Sequence, residues 1–317
     1  MRVAMRQVLD AWDMLDSPRA SGKLVKSRLT DRALSQVTTV RLGDAAVGTD
    51  FLKVVVPGAE GRQRGGNAPT LGIIGRLGGV GARPALIGLV SDADGAVVAL
   101  AVALKLADMA AEGDVLPGDV IITTHICPNA PTMPRHPVPF MGSPVDTATL
   151  LRYEVDPAMD AILSVDTTRG NRVINRRGFA ITPTVKEGFI LPPAEDLLDI
   201  MQHVTGQMPA VCPLATQDIT PYGNGLRHIN SILQPATACD VPVVGVALTA
   251  EVAVPGPATG ASQVVDIEAA VRFCLEVAKA FTAGRCRFHD ADEFHRLLAM
   301  YGSMAHLRSG GKPDSSA

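Results

Sequence analysis

Leu86-Ile87-Gly88-Leu89-Val90, then Ser91-Asp92-Ala93-Asp94-Gly95, then the run AVVALAVALKLADMAA from Ala96 to Ala111, then Val120-Ile121-Ile122-Thr123-Thr124 decide the fold class. Leu86 to Val90 is apolar apart from one glycine, the pattern of a strand buried on both faces. Ala96 to Ala111 has almost no charge around most of its circumference, which predicts a helix largely buried against a sheet. Asp114 to Asp119 supply a turn, and Val120 to Thr124 reads as the next buried strand. Strand, helix, strand implies parallel pairing with a right-handed crossover, so the chain is predicted to be an α/β protein.

Outward from this unit, apolar periodicity predicts an opening helix from about Arg2 to Leu15 and a second helical segment from Lys23 to Leu34. Val37 to Leu42, Phe51 to Val56 and Leu71 to Ile74 read as strands between Gly-rich turns. Pro128 to Pro144 is too rich in proline for a helix or an interior strand and is expected to be a loop. Further on come a strand at Ala161 to Val165 and an antiparallel ribbon from Arg172 to Ile181 and Phe189 to Leu191, with turns at Gly178 and Glu187-Gly188. A helix at Glu195 to Val204, a short strand near Ala210, a polar loop from Thr216 to Asn224 and a strand at Val241 to Val246 follow. Helices at Val265 to Phe281 and Asp290 to Met300 close the chain. The expected organisation is a helical segment over residues 1–34, one α/β domain over 35–303 and a disordered tail over 304–317.

With 317 residues and 47% hydrophobic content, the chain is long enough to close one large core. A formal charge of −3, no basic run and only 4% aromatic residues leave no means to grip a phosphate backbone or stack bases, so no nucleic-acid partner is expected. No stretch reaches the roughly eighteen apolar residues of a membrane span. Asp10, Asp13 and Asp16 stand where a signal peptide would need its apolar run. The five cysteines are widely spaced, odd in number and free of CxxC pairs, which fits reduced thiols and a cytoplasmic location. An Ala- and Val-rich surface points to a homo-oligomer.

Ligands of open α/β sheets bind beyond the carboxyl ends of the strands. Four such places are polar here: Asp92 and Asp94, His125, Asp166, and the loop from Gln217-Asp218 to His228. Carboxylates and an imidazole at one crevice suit a divalent cation such as zinc or manganese, which acidifies bound water and polarises a carbonyl. Asp92-Ala93-Asp94-Gly95 reads equally as a turn with an N-cap for the following helix. Asp166-Thr167-Thr168-Arg169 reads equally as an Asx turn. Cys127, two residues after His125 and therefore on the same strand face, is either a nucleophile activated by that imidazole or a buried inert thiol. The stretch from Gly75 to Pro84 offers Arg76 and Arg83 to a carboxylate or phosphate, or is a surface turn. It lacks the Lys-Ser/Thr of a Walker loop and the spacing of a dinucleotide fingerprint, so no nucleotide is expected. Arg76, Arg83, Asn129, Arg169 and Asn224 are the expected substrate contacts.

The strings GRLGGVGARP, GLVSDADGA, GDVIITTHICPNAPTMP, SVDTTRGNRVIN and QDITPYGNG together resemble the prokaryotic family termed domain of unknown function 1177, from about Gly43 to Phe281. That resemblance implies no activity. The order of elements also resembles the co-catalytic zinc aminopeptidases and related amidohydrolases of the phosphorylase/hydrolase-like fold. In that superfamily a metal-bridging aspartate precedes a glycine and a long buried helix, as in Asp92-Ala93-Asp94-Gly95. A later strand ends in a Glu-Glu pair, the general base and a ligand, where Thr124-His125 stands here. A further acidic ligand follows a short apolar strand, which Asp166 matches. The early His-x-Asp ligand motif is absent, since no histidine precedes His125. The final histidine ligand has no counterpart near Leu248-Thr249-Ala250-Glu251, so the ordinary two-zinc site is not intact.

The resemblance implies a three-layer αβα sandwich with a mixed, mainly parallel central sheet. It leaves either a one-metal site of Asp92, His125 and Asp166 or a metal-free site on the same scaffold. General-base work then falls to Asp94, Asp218 or His228. The expected function is a metal-dependent hydrolase of an amide or peptide-like bond in a small molecule. The rivals are a small-molecule-binding protein on a degenerate peptidase scaffold and a thiol hydrolase using Cys127.

Overall fold

The computed structural model describes residues 3–17, 19–43, 48–76, 89–134, 139–168, 170–212, 231–257 and 260–307. The chain opens with α1 (Met5–Leu15) and α2 (Gly22–Thr30), the latter started by Ser21, whose hydroxyl accepts the Leu24 N–H at 3.2 Å. A side-chain oxygen there satisfies one of the free N–H groups of the first turn. β1 (Val37–Leu42), β2 (Thr49–Val56) and β3 (Leu71–Gly75) follow, then α3 (Asp94–Ala111) and β4 (Val120–Ile126). The proline-rich stretch contains a two-stranded ribbon, β5 (Thr132–Met133) and β6 (Phe140–Met141), and leads into α4 (Thr147–Glu154). β7 (Ala161–Thr168), β8 (Gly178–Ile181), β9 (Thr184–Lys186), β10 (Phe189–Leu191) and α5 (Glu195–Thr205) come next. A 3-10 helix over Ser231–Thr237, β11 (Val243–Thr249), α6 (Val264–Thr282) and α7 (Ala291–Tyr301) complete the order.

The main sheet runs β1-β2-β4-β3-β7-β11-β9-β10, with β8 also paired to β11. Its centre, β4-β3-β7-β11, is parallel, and its flanks pair antiparallel. β3, α3 and β4 form the strand-helix-strand unit, so the expected crossover exists, but its first strand is Leu71–Gly75. The expected strand from Leu86 to Val90 falls mostly outside the described residues, of which Leu89 and Val90 are two.

Glycine decides how closely the helix approaches. A Cβ on Gly75 would lie 2.5 Å from the Gly95 carbonyl oxygen and 2.9 Å from Ala99 Cβ, so the Gly75 side of the sheet belongs to α3. Side chains alternate along a strand. The opposite side therefore carries Gly72 against Met159, and Gly245 against Ile232 of the 3-10 helix. Helical elements thus cover both faces, the layering of an α/β sandwich. Val97, Leu100 and Leu104 of α3 are buried, each adding about 1.5–3 kcal/mol relative to an exposed side chain.

The ribbon near Arg172 to Leu191 differs from expectation. Gly178 starts β8, and β10 pairs with β9 through a tight turn in which Glu187 and Gly188 both have positive φ, 48° and 81°. Such a two-residue turn matches the strand twist, so the hairpin is local and β8 is free to join β11. α4 stands beyond the proline run and was not expected; Asp146 caps it, accepting the Thr149 N–H at 2.9 Å. No helix among the described residues is long and apolar enough to cross a membrane.

Candidate functional site

The register of the central strands places three of the expected site residues in one row. Thr124 is level with Gly75 on β3, and Gly75 with Val165 on β7. The next residues along, His125, Arg76 and Asp166, are therefore level too, with the Arg76 N–H donating to the Val165 carbonyl at 2.7 Å. By alternation all three lie on the side opposite α3. Neighbouring strands are about 4.8 Å apart, so the backbones of His125 and Asp166 are separated by roughly 10 Å, with Arg76 between them.

Arg76 is the hub of a buried network. One guanidinium nitrogen pairs with Oε2 of Glu154, the last residue of α4, and the other donates to Oε1 of Gln234 in the 3-10 helix. The second oxygen of Glu154 faces His125 Nδ1 at 3.5 Å, and among the described residues neither of these two atoms has another partner. Burial works against ionisation of Glu154, but the Arg76 charge and the facing His125 outweigh it and hold its carboxyl below the usual range. The His125 ring lies 5.4 Å from the Phe51 ring, which is itself stacked on Tyr153 at 4.8 Å.

Asp92 and Asp94 occupy the other side of the same sheet end. Gly95 packs so closely that its Cβ would lie 2.6 Å from the Arg76 carbonyl oxygen and 2.7 Å from that of Val165. Asp92 is tied at both ends: its N–H donates to the Gly256 carbonyl at 3.1 Å, and its carboxylate accepts the Met141 N–H at 3.2 Å. Ser91 donates to the Pro255 and Gly256 carbonyls, and Thr167 donates to the Ser91 carbonyl at 2.8 Å. Asp94 opens α3 and accepts a hydrogen bond from Ser262. Burial pushes its carboxyl up to about 8; the Ser262 bond opposes this, and the charges of Asp92 and Asp266 add to it.

Asp94 lines a cavity of about 280 Å³ between the ends of β7 and β11 and the start of α6, together with Thr167, Thr249, Arg177, Glu251 and Asp266. Arg177 reaches Asp266 at 3.3 Å and stays 60% exposed. Thr249 is buried, and its hydroxyl lacks a partner among the described residues. A carboxylic acid that keeps its proton at neutral pH can both give a proton and donate a hydrogen bond.

Two expected sets meet different fates. Asp92, His125 and Asp166 do not complete a ligand set: among the described residues no three His, Cys, Asp or Glu side chains are grouped to hold a metal ion. His125 turns Nδ1 to Glu154, a contact that a metal-ligating imidazole also makes through its second nitrogen, while Asp92 accepts the Met141 N–H and Asp166 the Thr167 N–H at 2.7 Å. Cys127 is buried with Val90, Ala130 and Met141, and burial pushes its thiol up to about 11, partly offset by the Asn129 N–H. Burial of this kind disfavours the thiolate, the form that a nucleophile needs. Arg76 is committed to Glu154 and Gln234, and its side chain is 2% exposed, which leaves it no free fork for a substrate. Arg83, Arg169, Asp218, Asn224 and His228 lie outside the described residues, as does the tail from 308 onward.

Sequence reasoning missed Glu154, Gln234, Ser262, Arg177 and Asp266. Glu154 had one local signal, the Asp146 cap that starts its helix; the others come from segments far along the chain and meet the site only through the fold.

Comparison with known proteins comes down to three findings. No curated protein matches the chain. Among solved structures, a tomato leucine aminopeptidase mutant is similar at 13% identity with a TM-score of 0.46, over 86% of this chain and 61% of that one. The present chain thus spans about three fifths of the length of that relative. The family described as "Protein of unknown function (DUF1177)" matches residues 41–311, which takes in every element from β2 to α7, and the chain belongs to that family.

Proposed function

We propose that the protein is a hydrolase acting on an amide or peptide-like bond of a small molecule held at the carboxyl end of the sheet. One observation carries this reading: Asp94, hydrogen-bonded by Ser262 and with its carboxyl pushed up to about 8 by burial, lines an open cavity together with Asp266. Amide hydrolysis needs water added to the carbonyl carbon and a proton delivered to the departing nitrogen, which otherwise leaves as an unstable anion. Asp94 in its acid form supplies that proton. Among the described residues, Arg177 at the cavity mouth and the Thr249 hydroxyl, which has no partner there, are available to orient a polar substrate.

A zinc or manganese ion was the sequence expectation, and it would acidify the attacking water. Asp92 and Asp166 are carboxylate donors of the right kind, and among the described residues no three His, Cys, Asp or Glu side chains are grouped to hold an ion. No step of the reaction is therefore routed through a metal here.

The test is a screen of the full chain against dipeptides, N-acyl amino acids and simple amides, with and without added zinc or manganese, reading products by mass spectrometry. Cleavage that is lost in Asp94→Asn supports the reading. Compounds that raise the melting temperature and are recovered intact assign the cavity to binding alone, the function of a scaffold that has lost its chemistry.

A further inference from the structure

The cavity that Asp94 lines has a mouth with a chemistry of its own. We propose that Arg177 is a specificity-determining residue there, that it binds a carboxylate of the substrate, and that the compounds taken are small N-acylated amino acids. This rests on the hydrolase reading for what happens to the amide bond, but the carboxylate site stands on its own geometry.

The way Arg177 is held carries the argument. Its Nε donates to Oδ2 of Asp266 at 3.3 Å, and its Nη2 donates to Oε1 of Gln263 at 3.3 Å. Both bonds use the Nε–Nη2 edge of the guanidinium plane. The other edge, Nη1 with the outer hydrogen of Nη2, has no partner among the described residues, and the side chain stays 60% exposed. That edge presents a pair of parallel N–H groups, the arrangement that the two oxygens of a carboxylate match. A long surface side chain ordinarily loses rotamer freedom when it captures a ligand. Arg177 is already tied down along one edge, so less freedom is left to lose when the other is engaged.

Gln263 links this hold to the helix behind it. It stands at the N-cap of α6 but gives that helix no side-chain cap, its amide oxygen going to Arg177 instead. The Asp266 and Ile267 N–H groups donate to the Gln263 carbonyl, whereas those of Val264 and Val265 have no partner among the described residues. The positive end of a nineteen-residue helix therefore lies beside Arg177 and offsets the Asp266 carboxylate that neutralises part of its charge. Thr249 is a second, independent polar group: it lines the same cavity, is 7% exposed, and its hydroxyl has no partner among the described residues. A buried hydroxyl without a partner calls for one, and a ligand oxygen or N–H supplies it.

Size and lining narrow the class. A volume of about 280 Å³ lies at the lower end of small-molecule pockets, which suits one amino-acid unit with a short acyl group rather than a peptide chain. Ala250, Val254 and Ala261 give short apolar walls, fitted to a small aliphatic side chain. A ligand anchored at Arg177 by its carboxylate carries its amide bond into the space that Asp94 lines.

Glu251 is the group that would select a different ligand. It lines the same mouth and is exposed, so it suits an ammonium group. A single exposed carboxylate with nothing to fix it gains little from such a pair, whereas Arg177 is fixed and offers paired donors.

The experiment is a ligand-observed NMR titration of the full chain with three compounds. N-acetyl-L-alanine carries only the carboxylate, L-alaninamide only the ammonium, and N-acetyl-L-alaninamide neither. N-acetyl-L-alanine is expected to bind at least ~10-fold more tightly than the other two, the effect of a charge-assisted pair of hydrogen bonds. Arg177→Gln is expected to remove that preference, and so is Arg177→Lys, which keeps the charge but not the paired N–H groups. The wild-type comparison decides the matter even if a variant fails to fold. Equal or undetectable affinities in the wild-type protein, tighter binding of L-alaninamide, or a preference that survives either substitution overturns the proposal. Products are read on the same samples by mass spectrometry. Preferred binding of N-acetyl-L-alanine with no amide cleaved leaves the carboxylate site in place and removes the hydrolase reading; cleavage without the preference does the reverse.

Discussion

Asp94 makes the folded protein less stable as the pH rises, and the size of the effect follows from its burial. Its carboxyl titrates near 8 in the folded chain against an ordinary value of 3.8. Between those values the folded state keeps a proton that the unfolded state has released. Folding therefore takes up a proton, and stability falls with rising pH across the window. Each pH unit inside it is worth roughly 1.4 kcal/mol. From about pH 5 to about pH 8 the loss assigned to this one group is about 4 kcal/mol, a large part of the stability of a typical domain. Asp94→Asn keeps the shape and an oxygen for the Ser262 hydroxyl, but has no proton to lose. The assay is urea unfolding of both proteins at four pH values in that range. Subtracting the two curves cancels every other titrating group and any constant offset from the substitution. The wild-type stability is expected to fall by about 4 kcal/mol more than that of the variant. Parallel curves would show that Asp94 is already ionised when folded, and with that the proton donor of the proposed reaction is gone.

Glu154→Gln leaves Arg76 buried without its counter-charge and is expected to lower the unfolding free energy by about 3–5 kcal/mol in urea. In the wild-type protein the Glu154 carboxyl titrates below its ordinary 4.5, so its contribution is present above that pH and is lost as acid carries the protein down through the folded value. An acid-unfolding midpoint unmoved by the substitution argues against an ionised Glu154. A Cβ on Gly256 would fall on the Asp92 carboxylate, so Gly256→Ala displaces that group; turnover should drop well before the far-ultraviolet circular dichroism changes. Cys127, its thiol pushed up to about 11, should resist iodoacetamide at neutral pH and react after unfolding, as read by peptide mass spectrometry.

The fold was legible where the signal is local. A run such as Ala96 to Ala111 has no exposed side rich enough in charge to be anything but buried helix, and α3 spans Asp94–Ala111. Val120 to Thr124 and Ala161 to Val165 are uncharged and mostly apolar because both faces of a central parallel strand are covered, and β4 and β7 contain them. Partner choice was less legible. Gly178 was taken for a turn because glycine so often is one, yet its positive φ of 106° sits at the head of β8, whose pairing with β11 depends on residues some seventy positions away. The 3-10 helix around Pro235 has no apolar period to reveal it.

The site divides in the same way, and the division explains why the metal set was expected. Sequence shows which polar residues end apolar strands, and Asp92, Asp94, His125 and Asp166 do stand at one end of one sheet. What it does not show is which neighbour each side chain faces. The group that faces His125 Nδ1 is a glutamate 29 positions on, at the end of a helix that has to form first. Asp94 becomes a cap or an acid according to its solvation, and that is set by Ser262 and α6 closing over it from the far end of the chain. A carboxylate two residues earlier, Asp92, contributes charge to Asp94 while taking its own hydrogen bond from Met141. Two aspartates with one residue between them thus have different surroundings: one accepts the Met141 N–H, and the other is buried beside Ser262 with Asp92 and Asp266 near it. If the pH dependence of the Asp94→Asn pair comes out flat, that separation is lost, and Asp92-Ala93-Asp94-Gly95 returns to the other reading of its spacing, a turn with an N-cap for the helix that follows.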